Sequence, residues 1–83
     1  MYSIYFSKQA QKDASELSPK LKEKLEKLLA EIIGKDPLCG KKLIGDLVGS
    51  YSYRLTHKDR IVYRIDEKKK TIFVERAKTH YGE

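Results

Sequence analysis

Leu21, Leu25, Leu28, Leu29, Ile32 and Ile33 recur at helical spacing, with Lys20, Lys24, Lys27 and Glu31 turned the other way. An apolar stripe of this kind has to lie on a second layer, because a helix this short is marginal in water without tertiary packing. Ser18-Pro19 marks its start, with serine as N-cap and proline at the first helical position, where no N–H is needed. Gly34 is placed to end it in a left-handed conformation. Upstream, Ala10, Ala14 and Leu17 repeat at helical spacing after a capping Ser7, which predicts a first helix over Lys8 to Leu17. Two helices over about residues 8 to 34, joined at Pro19 as a hairpin or kinked pair, therefore lay their apolar sides on a sheet.

That sheet is written in period two. Tyr2, Ile4 and Phe6 share one side of a half-buried edge or near-edge strand over residues 2 to 6. The segment from Asp36 to Lys42 reads as a basic loop punctuated by Pro37 and Gly40, and Leu43 to Leu47 as a short strand or irregular lead-in. Gly49-Ser50 turns the chain into a strand from Tyr51 to Thr56, and His57-Lys58-Asp59 makes a tight connection. Ile61, Tyr63 and Ile65 then alternate with Arg60, Val62 and Arg64. A solvated turn, Asp66 to Lys70, precedes a last strand from Thr71 to about Lys78. Strand, helix, helix and three strands give an α+β domain, with the helices on one face of a small, mostly antiparallel, curved sheet and the other face left free. With 83 residues there is room for one such domain, 1–83. Leu21, Leu25, Leu28, Ile32, Ile61, Ile65, Ile72 and Val74 are expected in its core.

The charge narrows the partner. Eighteen Lys and Arg against 12 Asp and Glu give a net charge of +6, which favours a polyanion such as nucleic acid or an acidic protein. The start, Met1-Tyr2-Ser3-Ile4-Tyr5, lacks the pattern of a signal peptide, and no apolar run approaches the ~20 residues of a membrane span, so a soluble cytoplasmic protein without a membrane partner is expected. Cys39 is the only cysteine, and His57 and His80 have no ligand-like spacing to it or to each other. Chemistry without metal or cofactor follows.

Arg54 and Arg60 come from neighbouring strands and would give the free sheet face a basic concavity for RNA phosphates. His80-Tyr81, just past the last strand, adds a proton-transfer group and a phenol able to orient it or stack on a base. His57 reads as a solvated turn residue, and Tyr2, Tyr5, Tyr53 and Tyr63 as strand residues packing on helices or sheet edges; Tyr51 is left open.

The helical pair, then Gly40-Lys41-Lys42-Leu43, Leu47-Val48-Gly49-Ser50-Tyr51, Tyr53-Arg54-Leu55 and Asp59-Arg60-Ile61-Val62-Tyr63, resembles the RelE/ParE superfamily of bacterial toxin–antitoxin systems over nearly the whole chain. The His80-Tyr81 ending is most similar to the YoeB-type branch, mRNA interferases that cleave messenger RNA, typically in the ribosomal decoding site. The resemblance implies a cognate antitoxin, mRNA and the ribosome as partners. It also implies roles: Arg60 stabilises the scissile phosphate, His80 is the general acid for the leaving 5′-oxygen, and Tyr81 orients substrate. Arg54 and Lys78 match further basic positions of RelE-like relatives, and Lys41 or Lys42 stands where YoeB-type relatives carry a glutamate base. The base is thus unassigned here. Asp46 is the nearest acidic residue, and Lys41 or Lys42 would serve to bind RNA and balance charge in the transition state. The same superfamily also holds ParE-like toxins that poison DNA gyrase by protein contact, and a non-catalytic RNA binder would share the charge.

Overall fold

The computed structural model describes residues 2–43 and 49–77. Strand β1 (Ser3–Phe6) leads into helix α1 (Lys8–Ser15) and helix α2 (Pro19–Lys27), which continues as a π-helical turn, Leu28–Ile33. A short 3₁₀ turn, Pro37–Cys39, precedes β2 (Lys41–Lys42), β3 (Ser50–Arg54), β4 (Arg60–Asp66) and β5 (Thr71–Arg76). The sheet order is β1-β5-β4-β3-β2, antiparallel except where β1 runs parallel to β5. This is the expected helix-on-sheet α+β arrangement, with one strand more than the sequence pattern suggests.

Both helix starts rest on local chemistry. The Ser7 hydroxyl accepts from Ala10 N–H at 3.0 Å and that of Ser18 from Leu21 N–H at 3.3 Å, with Pro19 in the first turn. The core joins Ala10, Leu17, Leu25, Leu29 and Ile33 to Leu55, Ile61, Tyr63, Ile72 and Val74 from the sheet. Tyr63 is fully buried and stacks on Tyr51 with ring centroids 5.8 Å apart. Its hydroxyl donates to the Pro37 carbonyl at 2.6 Å, and burial pushes the phenol's pKa well up, keeping the donor protonated. That bond ties the turn before β2 to the sheet.

Four expectations are corrected. Gly34 is right-handed, φ −65°; its N–H donates to Leu29 C=O at 2.7 Å, closing a π turn, and a Cβ there would sit 2.5 Å from that same oxygen. Glycine is required by crowding, not by handedness. Within the π-helical turn Leu29 and Ile33 are buried in the core, while Ile32 lies on the flank, 39% exposed. Leu21, Leu28 and Ile65 are only partly buried at the margin of the core. Lys41–Lys42, expected in a loop, pairs with Ser52 and Tyr51, because the edge of β3 offers backbone partners that a loop would leave unmet.

Tyr2, Ile4 and Phe6 pack on the core as expected, whereas Tyr5 is 60% exposed on the opposite face and stacks on Phe73. Gly49 has φ +95°, a conformation that costs an L-residue about 1–2 kcal/mol, and among the described residues a Cβ would meet only Arg64 at an ordinary 3.5 Å. The described contacts leave backbone strain as the penalty of Gly49→Ala. Thermal unfolding should shift down by roughly 4–8 °C per kcal/mol for a domain of this size; an unchanged midpoint would contradict the turn described.

Candidate functional site

Strand alternation sends Ser50, Ser52 and Arg54 of β3 to the face away from the helices, and the β3–β4 register sets Arg54 directly opposite Arg60. The turn between them holds this register: Leu55 and Thr56 N–H donate to Asp59 C=O, and the Thr56 hydroxyl accepts from the Lys58 and Asp59 N–H groups at 3.1 and 2.9 Å. Like charges opposed on paired strands repel each other, so the arrangement favours an anion between them.

Ser52 is 2% exposed and its hydroxyl accepts from Arg60 Nε at 3.2 Å, which orients the guanidinium. Lys41 pairs with Ser52 from the other side, on the same face. A groove of about 650 Å³ opens here, lined by Lys24, Lys41, Arg54, His57 and Arg60 among others, with no carboxylate among the described residues of its wall. The remaining arginines are committed elsewhere. Arg64 Nε donates to Glu75 at 3.1 Å, and Arg76 Nε to Asp13 at 2.8 Å. Among the described residues Arg54 and Arg60 thus have no carboxylate partner, and their charge is available to a phosphate.

Of the residues singled out from sequence, the groove gathers Arg54, Arg60 and Lys41. Lys42, one residue on, pairs with Tyr51 and lines a different groove with Leu38, Leu43 and Ile65. His57 is exposed in its turn, as expected, and also borders the basic groove. Lys78, His80, Tyr81 and Asp46 lie outside the described residues. At the end of β5 Arg76 pairs with Val62, and Arg60 is two residues along β4 from Val62 in the direction β5 is heading. Two residues separate Ala77 from His80 in the sequence, which limits the span between them to about 11 Å.

Sequence reasoning missed Ser52, Lys24 and Asp13. Nothing in the sequence marks Lys24 among the many lysines of α2. Ser52 could have been found, since it is a small polar residue of β3 in phase with Arg54. Asp13 falls on the apolar side of α1 with Ala10 and Ala14, and a carboxylate in that stripe is itself a signal. It is 4% exposed. Burial disfavours its charge, but hydrogen bonds from Arg76, Gln9 and the Ala77 N–H outweigh that and hold the carboxyl below its usual 3.8. A depressed folded-state pKa contributes stability that is fully present above the unfolded value and lost as pH falls through the folded one. Acid unfolding of Asp13→Asn should accordingly show a shallower dependence on pH below 3.8 than the parent protein; parallel curves would show that Asp13 does not ionise differently in the fold.

Among the described residues no three His, Cys, Asp or Glu side chains group as a metal site, and no helix is long and apolar enough to cross a membrane.

Comparison with known proteins follows the same lines. A family profile described as the ParE-like toxin of type II bacterial toxin–antitoxin systems matches residues 4–82. The YoeB dimer of Staphylococcus aureus is 32% identical, with 96% of this chain and 98% of that one covered and a TM-score of 0.80. The RelBE2 toxin–antitoxin complex of Mycobacterium tuberculosis is 28% identical over 93% of this chain and 95% of that one, with a TM-score of 0.84. The intact RelBE complex of E. coli, 24% identical over 95% and 96% with a TM-score of 0.78, shares the fold. No curated protein matches the chain.

Proposed function

Because this chain belongs to the ParE-like toxins of type II toxin–antitoxin systems, within the RelE/ParE superfamily, we propose that it is an endoribonuclease that cuts messenger RNA on the ribosome without a metal ion. The observation that carries this reading is the pair Arg54–Arg60, set opposite each other in a basic groove and free of carboxylate partners among the described residues. Metal-free RNA cleavage needs three services around one phosphorus. The 2′-hydroxyl must lose its proton as it attacks, the pentacoordinate phosphorane must be neutralised, and the leaving 5′-oxygen must gain a proton. Arg60, oriented by Ser52, and Arg54 supply the second. The C-terminal His80 supplies the third, with Tyr81 positioning it or the base beside it. Among the described residues no carboxylate lines the groove, and Lys41 is assigned to charge balance in the transition state.

The relatives named above include toxin–antitoxin complexes, and a cognate antitoxin with acidic and apolar segments would mask the groove. Action on translated mRNA places the protein in the cytoplasm. The ParE-like profile favours a second reading, poisoning of DNA gyrase through protein contacts. Primer extension on mRNA after brief induction in a translating extract, with and without ribosomes, tests the two. New 3′ ends in the message that depend on ribosomes and disappear on adding the antitoxin support the interferase. Intact message with cleaved gyrase–DNA complexes supports the alternative.

A further inference from the structure

We propose that His57 is the proton acceptor for the attacking 2′-hydroxyl, an inference that rests on the ribonuclease reading above and fills the one service it leaves unassigned. The imidazole lines the same groove as Arg54 and Arg60. It belongs to the turn that joins β3 to β4, three positions in the chain from each of those arginines, which stand opposite each other across the strand pair. Three residue steps span at most about 11 Å, so the turn stays beside a phosphate held between the two guanidinium groups.

The turn is tied on both sides of the histidine. The Thr56 hydroxyl accepts from the Lys58 and Asp59 N–H groups at 3.1 and 2.9 Å, and the Leu55 and Thr56 N–H groups donate to the Asp59 carbonyl at 2.9 and 3.0 Å. Among the described residues no hydrogen bond or ion pair engages the imidazole itself. A histidine on a fixed turn, with its ring nitrogens unpaired and open to the groove, is placed for proton transfer.

The other groups around it cannot take this proton. Lys24 from α2, Lys41 from β2 and the two arginines offer N–H donors and no lone pair. Burial pushes the Cys39 thiol up, away from the thiolate that would accept. Within the turn, Lys58 is a further ammonium. Asp59 does not line the groove; its Oδ1 is buried, and its Oδ2 accepts from the Thr56 hydroxyl at 3.4 Å. That leaves the imidazole as the described group of the wall that combines an open lone pair with proton affinity near neutral pH. In the step, a ring nitrogen takes the 2′-hydroxyl proton as the 2′-oxygen bonds to phosphorus. The bond from phosphorus to the 5′-oxygen breaks, and that oxygen leaves with a proton from the acid of the same scheme. The imidazolium then returns its proton to solvent as the acid regains one.

The test is single-turnover cleavage of RNA across pH, with RNA affinity measured separately. A base works in its neutral form, so the parental rate should fall as pH drops through the imidazole range. His57→Ala should slow cleavage at neutral pH by about 10²-fold or more and lose this acid-side limb, while affinity stays within about twofold. Added imidazole should restore part of the rate to His57→Ala, with a rescue that follows the neutral form as pH is varied. His57→Gln, which keeps a polar side chain without the proton affinity, should behave alike and serves if His57→Ala does not fold. Lys58→Ala, beside it in the turn but outside the groove wall, should keep the parental rate and pH profile. Cleavage at the parental rate by folded His57→Ala, or a loss confined to affinity with the acid-side limb intact, overturns the inference while the ribonuclease reading stands. A parent protein that does not cleave RNA overturns both.

Discussion

On the proposed mechanism, Arg60→Ala should lower the single-turnover rate of RNA cleavage by about 10²–10³-fold, the range typical when one preorganised donor to a developing anion is removed. The expectation comes from where the guanidinium sits. Its Nε is tied to Ser52, which is almost wholly buried, so the remaining N–H groups face the groove without reorganising when charge builds on the phosphorane. Arg54 is exposed and has no such tether among the described hydrogen bonds, so Arg54→Ala should cost less in rate and act mainly through affinity. Arg60→Lys should recover little, because an ammonium cannot bond Ser52 and present a fork to the phosphate together. Removing one cation that neutralises a phosphate also flattens the salt dependence of binding, by roughly 0.7 in the log–log slope for single strands. Single-turnover kinetics and RNA titrations over a range of salt separate these arms. An Arg60→Ala protein that cleaves at the parental rate would place the chemistry outside this groove.

The elements that local chemistry decides were legible in the sequence. Ser7 and Ser18-Pro19 start helices because a hydroxyl and a ring of fixed φ act on their immediate neighbours, whatever the rest of the chain does. Arg54 and Arg60 were legible as a pair because a short turn between two strands fixes which residues face each other. Long-range competition decided what was not legible. The change from α to π at Leu28 exchanges one backbone partner for the next and follows from how the helix seats on the sheet, so the burial of Ile33 in place of Ile32 is not written in the spacing. Lys41 and Lys42 look equivalent in sequence; a two-residue strand sends one to each face, and only its register with Ser52 and Tyr51 tells them apart. The same holds for the arginines. Arg64 and Arg76 are as basic as Arg60, but each is neutralised by a carboxylate distant in the chain.

A substrate carrying 2′-deoxyribose on the 5′ side of the cut should resist cleavage altogether while binding about as well as RNA. The proposed nucleophile is the 2′-oxygen, and without it no water or metal-bound hydroxide is assigned to replace it. The same scheme requires a 2′,3′-cyclic phosphate on the upstream product and a free 5′-hydroxyl on the downstream one. His80→Ala should then leave binding nearly unchanged and slow the step by ~10²-fold or more, the range of a lost general acid. A substrate with a sulfur leaving atom in place of the 5′-oxygen discriminates further, since a thiolate departs without protonation and should restore much of the rate to His80→Ala but not to Arg60→Ala. Rescue of both variants alike would mean that the two residues do not divide the work between leaving group and phosphorane. Cleavage of the 2′-deoxy substrate at the RNA rate would remove the 2′-oxygen from the reaction, and with it the need for the charge pattern that Arg54 and Arg60 present.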